Sequence, residues 1–373
     1  MHRGRALTVA FKDGCVEFAF KEDWPEARRR LEAWWQGELC DRCAMIVTAP
    51  RKGVTPREVP APTDIMERWT NPDYVVRRLL ARYESTFFGA EAVPSTFLNV
   101  GPTCIGQFLG CDVVFQETTS WKRPFVDDWD RDCPTVEFDP ENRNWKDVVR
   151  LTEAAVEAAP GRFMVGVTDL GGYSDALSAF RGPERLCLDL IDCPEKVLRL
   201  REPIINIWKE MFDTLNGIIS RRLEGGIGWM GIWAPGTTFH PQNDFSCMIS
   251  TGMFERVFLP ALLEQFRHID YTIYHLDGPD AIRHLDSLLA IGNDVLRAIQ
   301  WVPGAGSGRR TQWIPLLKRI QAAGKNVVMS AEVDEVEELM GGLSSKGLML
   351  VTNAPTEDDA RELLRKVETW THD

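Results

Sequence analysis

YTIYHLDGPDAIRHLDSLLAIG, residues 271–292, joins two patterns that decide the fold. It begins as a β-branched and aromatic run that stops at His275, Leu276 and Asp277. Gly278 and Pro279 follow, and an amphipathic helical pattern fills the rest. A short apolar strand leading at once into a helix is half of a parallel crossover unit. The alternation recurs on both sides. RFMVGVTDL (162–170), GIGWMGIWAP (226–235), LRAIQWVPG (296–304), KNVVMSAEV (325–333) and GLMLVTNAP (347–355) read as strands. WKDVVRLTEAAVEAA (145–159), CMISTGMFERVFLPALLEQFRHI (247–269), RTQWIPLLKRIQAAG (310–324), DEVEELMGGL (334–343) and TEDDARELLRKVETW (356–370) read as helices, with more helix across 175–220.

Strands this continuously apolar are covered on both faces, as in a parallel sheet. Two architectures fit, a closed (β/α)8 barrel and an open doubly wound sheet. No GxGxxG follows a first strand, which tells against the dinucleotide-binding form of the second. The reading is therefore α/β, a (β/α)8 TIM barrel of about 250 residues with an N-terminal extension. Residues 1–120 form that extension, packed on the barrel, together with the first strands CAMIVTAP (43–50), STFLNVG (95–101) and DVVFQET (112–118), and a helix over about 62–86. Residues 121–146, rich in Trp, Asp, Pro and Arg, form an excursion or lid. Residues 147–373 form the main body of the barrel.

Composition narrows the partners. The chain has 373 residues, is 44% hydrophobic and carries a net charge of −12. So acidic a surface repels a phosphate backbone, so nucleic acid is not expected. No apolar run approaches the ~18 residues of a membrane span. The opening MHRGRALTVAFKDG turns charged before an apolar signal core develops. Nine scattered cysteines suit a reducing cytoplasm rather than a disulfide framework. Cys40 and Cys43 form a lone CxxC that precedes a strand, where a turn is expected rather than a redox dithiol.

In either architecture ligands bind beyond the carboxyl ends of the strands. The residues falling there are Asp169, Gly171, Gly172, Tyr173 and Asp175 after the first barrel strand of the main body. Next come Trp233, His240, Asn243 and Asp244, then His275 and Asp277, then Gln300 and Trp301, then Glu332, and finally Thr352 and Asn353. His275 and Asp277 are two apart on an extended chain, so they face the same way. A carboxylate beside an imidazole raises its pKa and fixes its tautomer, and the pair can donate a proton, accept one or ligate a metal. Asp277 also suits the cap of a helix that opens at Pro279. Trp229, Trp233 and Trp301 are candidate walls of a ring-sized pocket, and Asp169, His240, Asp244, Gln300 and Glu332 candidate substrate-binding groups. His284 falls inside a helix and reads as structural. GAGSGRR (304–310) reads as a flexible loop; its spacing fits no P-loop.

Several stretches together resemble the uroporphyrinogen decarboxylase superfamily, which includes the corrinoid-dependent methyltransferases. They are FSCMISTGMFERVFLPALLEQFRHID, YHLDG, IQWVPG, LVTNAPTEDDARELLRKV and TDLGGYSDALSAFRGPERLCLDLIDCPEKV. The resemblance implies a (β/α)8 barrel with its site at the mouth. It also implies where this chain departs. YHLDG stands where the thiol-methylating members carry His-x-Cys-Gly, so Asp277 replaces a zinc-binding cysteine. The last cysteine of the chain is Cys247, which excludes a zinc dithiolate completed from the closing strand. Whether zinc binds at all is left open. The Arg-Gln-Ala-Gly-Arg-Tyr pattern of the decarboxylase proper is absent.

The expected function is an enzyme moving a methyl group from a small O- or N-methylated substrate to a corrinoid protein, with His275 and Asp277 as acid/base pair. No tightly bound cofactor is expected, the corrinoid being carried by the partner. The other partners expected are a small-molecule substrate and, as an oligomer, a homodimer. One rival is a cofactor-independent decarboxylase or lyase of a small carboxylate, with Arg181, Arg309 or Arg310 aimed into the mouth. Another is a non-catalytic small-molecule binding barrel.

Overall fold

A computed structural model describes residues 18–373. The opening segment read for a signal sequence, the start of the 1–120 extension and Cys15 lie outside the described residues. Among the described residues thirteen strands are formed. The first six are β1 (Ala44–Pro50), β2 (Thr86–Ala90), β3 (Ser95–Phe97), β4 (Asp112–Phe115), β5 (Ser120–Arg123) and β6 (Met164–Gly166). The rest are β7 (Gly226–Ile227), β8 (Trp233–Ala234), β9 (Thr238–Phe239), β10 (Tyr271–Asp277), β11 (Ala298–Val302), β12 (Asn326–Ser330) and β13 (Leu348–Asn353).

The protein is mixed α/β. Seven strands hydrogen-bond in the order β2-β1-β13-β12-β11-β10-β9. All neighbours run parallel except β2, which returns antiparallel on β1. Central positions such as Val327, Val328, Leu348 and Met349 are wholly buried, as strands covered on both faces must be. β3 and β6 form a separate parallel pair, and within the described residues no hydrogen-bonded ladder joins that pair to the seven-stranded sheet.

Two strand readings change. GIGWMGIWAP is not one strand but an antiparallel pair, β7 and β8, with a turn across 228–232. DVVFQET contributes β4, whose partner is β5 in the following WKR segment. The helix read over about 62–86 is two helices, Ile65–Thr70 and Pro72–Glu84, with Asn71 capping the second, and β2 begins at Thr86. The helix over Thr251–His268 widens at Phe254–Phe258 just before Pro260, whose missing N–H removes a helical hydrogen bond.

The N-terminal helix Trp24–Trp35 buries Trp24, Ala27, Leu31, Trp34 and Trp35 against the sheet. Trp35 Nε1 donates to Trp233 O at 2.8 Å. A buried bidentate pair, Arg42 to Glu91 at 2.8 and 2.9 Å, anchors the start of β1, and Met45 N–H donates to the same carboxylate at 2.7 Å. The Cys40–Cys43 segment is the turn before β1; Cys43 is fully buried, and burial pushes its thiol up to about 12.

Candidate functional site

β10 carries the site because both of its edges are fixed. On one side His275 pairs with Gln300 and Asp277 with Val302 of β11. On the other, His275 N–H donates to Pro241 O at 3.0 Å, and Gln242 bridges to His275. That second edge carries Asp244 past the end of β9, at the start of the short helical turn Asp244–Met248.

Three side chains converge there. Asp244, His275 and Asp277 each offer one ligand-type atom, and the three atoms lie within 4.8 Å of one another. His275 Nδ1 is 2.6 Å from Gln300 Oε1. The amide oxygen accepts, so Nδ1 keeps its hydrogen and Nε2 is left as the nitrogen that exchanges a proton or binds a metal. Trp229 closes one side, its ring edge-to-face with His275 at 5.2 Å and with His240 at 5.5 Å.

Asp169 sits behind this trio, on the loop after β6. Thr103 N–H donates to its carboxylate at 3.0 Å, Gly171 N–H at 3.2 Å and the Gln242 amide at 3.3 Å. Thr103 adopts φ 46°, a left-handed conformation rare for a β-branched residue; it holds that N–H on Asp169. Burial raises the pKa of Asp169, opposed by the Thr103 N–H and by Lys122. Asp175 is raised further, by burial first and then by Asp244 and Asp169, and its Oδ2 has no hydrogen-bond partner. Asp244 opens to solvent at the mouth but is packed by protein on its other sides. Its pKa is raised by that desolvation and by Asp277 and Asp169, while His275 pulls it down.

Lys122, from β5, is the counter-charge. Its ammonium donates to Pro102 O, and desolvation lowers its pKa against the pull of Cys104, Asp169 and Asp175. Nothing in the WKRP segment marked this lysine in the sequence, and nothing marked Thr103; Thr103 arrives on a loop and Lys122 on β5.

Other sequence candidates lie elsewhere. Trp233 is buried at the N-terminal helix, edge-to-face with Trp24 at 5.3 Å. Trp301 alternates with Gln300 and points away from it, packed on Trp313 at 4.9 Å. Glu332 is exposed and caps the turn Val333–Glu335. His240 is fully buried beneath Trp229 with neither ring nitrogen partnered, and burial drives its pKa down to about 3. His284 stacks on Phe254 at 4.5 Å, and its Nε2–H donates to Ser246 O at 2.9 Å in a buried, structural contact. Arg181 is paired with Asp189, and Arg309 with Asp334; Arg310 bonds within its own loop.

Two carboxylates and one imidazole make a hard, oxygen-rich donor set, suited to a divalent ion that tolerates oxygen ligands rather than to thiolate-activated zinc. Without an ion, the same trio can move a proton at Nε2.

A cavity of about 380 Å³ opens beside Trp229. Ile46 and Thr48 of β1, Ser95–Phe97 of β3 and the loop Gly228–Gly231 line it, and the helix Pro72–Glu84 covers it with Arg78 and Arg82.

No protein-family model matches the sequence, and no curated protein matches it. Among solved structures, a methyltransferase from Methanosarcina mazei aligns with a TM-score of 0.57 at 14% identity, over 92% of this chain and 98% of that one. At that identity the likeness is one of fold.

Proposed function

We propose that this chain is a methyltransferase that takes a methyl group from a small O- or N-methylated donor and delivers it to a corrinoid protein, and that it is a divergent member of the uroporphyrinogen decarboxylase superfamily. The observation that carries the reading is the trio Asp244, His275 and Asp277 at the carboxyl end of β10, gathered within 4.8 Å and oriented by Gln300. The fold likeness to a methyltransferase along nearly the whole chain supports it.

In this reading the strands close an eight-membered barrel from β1, β3, β6, β7 and β10–β13. Gly166 supports the closure: a Cβ there would lie 2.1 Å from the Ile227 carbonyl, so β6 and β7 approach backbone to backbone.

The corrinoid supplies the nucleophile that accepts the methyl group. The chain's own residues handle the leaving group. As the bond from the methyl carbon to oxygen or nitrogen breaks, its electron pair stays on the heteroatom, which takes a proton from His275 Nε2. Gln300 holds the tautomer, and Asp277 and Asp244 stabilise the imidazolium before transfer. Trp229 walls His275 on one side, ring edge to face.

The test is incubation with a reduced corrinoid protein and a panel of methoxy and methylamino compounds. The reading expects the corrinoid to be methylated by at least one donor, and far more slowly with His275→Ala. Inertness towards every donor, or full activity in His275→Ala, contradicts it.

A further inference from the structure

Arg78 and Arg82 stand one helical turn apart on Pro72–Glu84, and both line the cavity beside Trp229. Among the described residues neither forms a salt bridge, although most of the other arginines do. Each is held by an aromatic face instead: Arg78 lies over Tyr74 at 5.4 Å and Arg82 over Tyr83 at 5.2 Å. Tyr83 is itself fixed, its hydroxyl donating to Ser95 O at 2.7 Å. Like charges at i and i+4 repel, and an anion between them turns that repulsion into two charge-assisted hydrogen bonds. The lining also includes Trp69 and Trp229, and the buried Nε1 of Trp229 has no partner. The rest of the lining is largely apolar, from Ile46, Val75, Leu79 and Phe88.

We propose that this cavity binds the carboxylate-bearing, apolar body of the substrate, with Arg78 and Arg82 on the carboxylate and the methylated end turned past Trp229 towards His275. The inference rests on the methyl-transfer reading for the direction of the methylated end; the anion site itself does not need it. It restricts the donor to a small organic acid, since a 380 Å³ cavity holds a ring-sized body and little more. Arg181, Arg309 and Arg310 are committed to other partners, which leaves Arg78 and Arg82 to recognise the acid.

Binding of 4-methoxybenzoate and of neutral 4-methoxybenzyl alcohol to the full chain, followed by calorimetry and tryptophan fluorescence at low salt, tests it. The acid is expected to bind at least about tenfold more tightly than the alcohol, and Arg78→Gln with Arg82→Gln to abolish that preference. Arg78→Lys with Arg82→Lys should retain part of it, and an unchanged Tm shows that the variants are folded. Equal affinity for acid and alcohol, no binding of either, or a preference that survives the double glutamine variant overturns the proposal. Arginine-dependent binding with no methyl transfer, or with release of carbon dioxide, contradicts the methyl-transfer reading and leaves the anion site standing. Methyl transfer from neutral donors alone does the reverse.

Discussion

His275 Nδ1 and Gln300 Oε1, on neighbouring parallel strands in register, lie 2.6 Å apart. An acceptor at that distance decides which nitrogen carries the hydrogen, so the strand pairing itself sets the protonation pattern of the site. Replacing Gln300 by Leu frees the ring and mixes its tautomers. We expect kcat for methyl transfer to fall by about tenfold or more with KM changed little, because the lost interaction orients the acid rather than the substrate. Steady-state kinetics of the variant check this.

Two of the three tryptophans named together in the sequence, Trp229 and Trp301, separate by role. Trp301→Leu opens a space among Trp313 and the outer face of the sheet, and should cost about 2–4 kcal/mol of stability with kcat/KM preserved. Trp229→Leu removes the wall shared by the cavity and His275, and should raise KM for the donor. Denaturant unfolding beside kinetics distinguishes them; a catalytic loss in Trp301→Leu would contradict the placement.

His240 gives the stability a pH dependence. Its folded pKa, about 3, lies below the unfolded value near 6.5, so the unfolded state binds the extra proton between those limits. Stability contributed by the neutral ring is therefore complete above pH 6.5 and lost as pH falls towards 3, by about 1.4 kcal/mol per unit. Asp175, raised by burial, slopes the other way but is common to the wild type and a His240→Leu variant. The unfolding free energy of the wild type should decline relative to that variant across this window; parallel curves would show that the ring is not buried neutral.

Gly166 offers a test of the closure. Its added methyl would meet a backbone carbonyl, which cannot rotate away. Gly166→Ala should cost about 1–3 kcal/mol or more and lower Tm by several degrees. An unchanged Tm would mean that β6 and β7 are not so closely apposed.

Much of this arrangement is legible in the sequence. The alternation of strand and helix placed β10 to β13, and the two-residue spacing put His275 and Asp277 on one face. Gln300 followed from the same logic one strand on. What could not be read was contact made by loops. β9 is two residues long and carries no periodicity, yet it brings Asp244 to His275. Thr103, on a loop, and Lys122, on β5, approach Asp169 from more than forty residues away in the chain, and short strands such as β7 and β8 have too few residues to show a period. Trp301 was misplaced because strand-end position alone does not say which face a residue takes; its neighbour Gln300, in register with His275, does.

Dialysis against a chelator separates proton transfer from metal chemistry at the trio. Methyl transfer is expected to survive it. Loss of activity that returns on adding a divalent ion would assign Asp244, His275 and Asp277 as its ligands.

The most direct measurement is the single-turnover rate at which a reduced corrinoid protein is methylated, wild type against His275→Ala, with and without added imidazole. A fall of about 10²–10⁴, partly restored by imidazole, is expected. A rate unchanged in His275→Ala would contradict it.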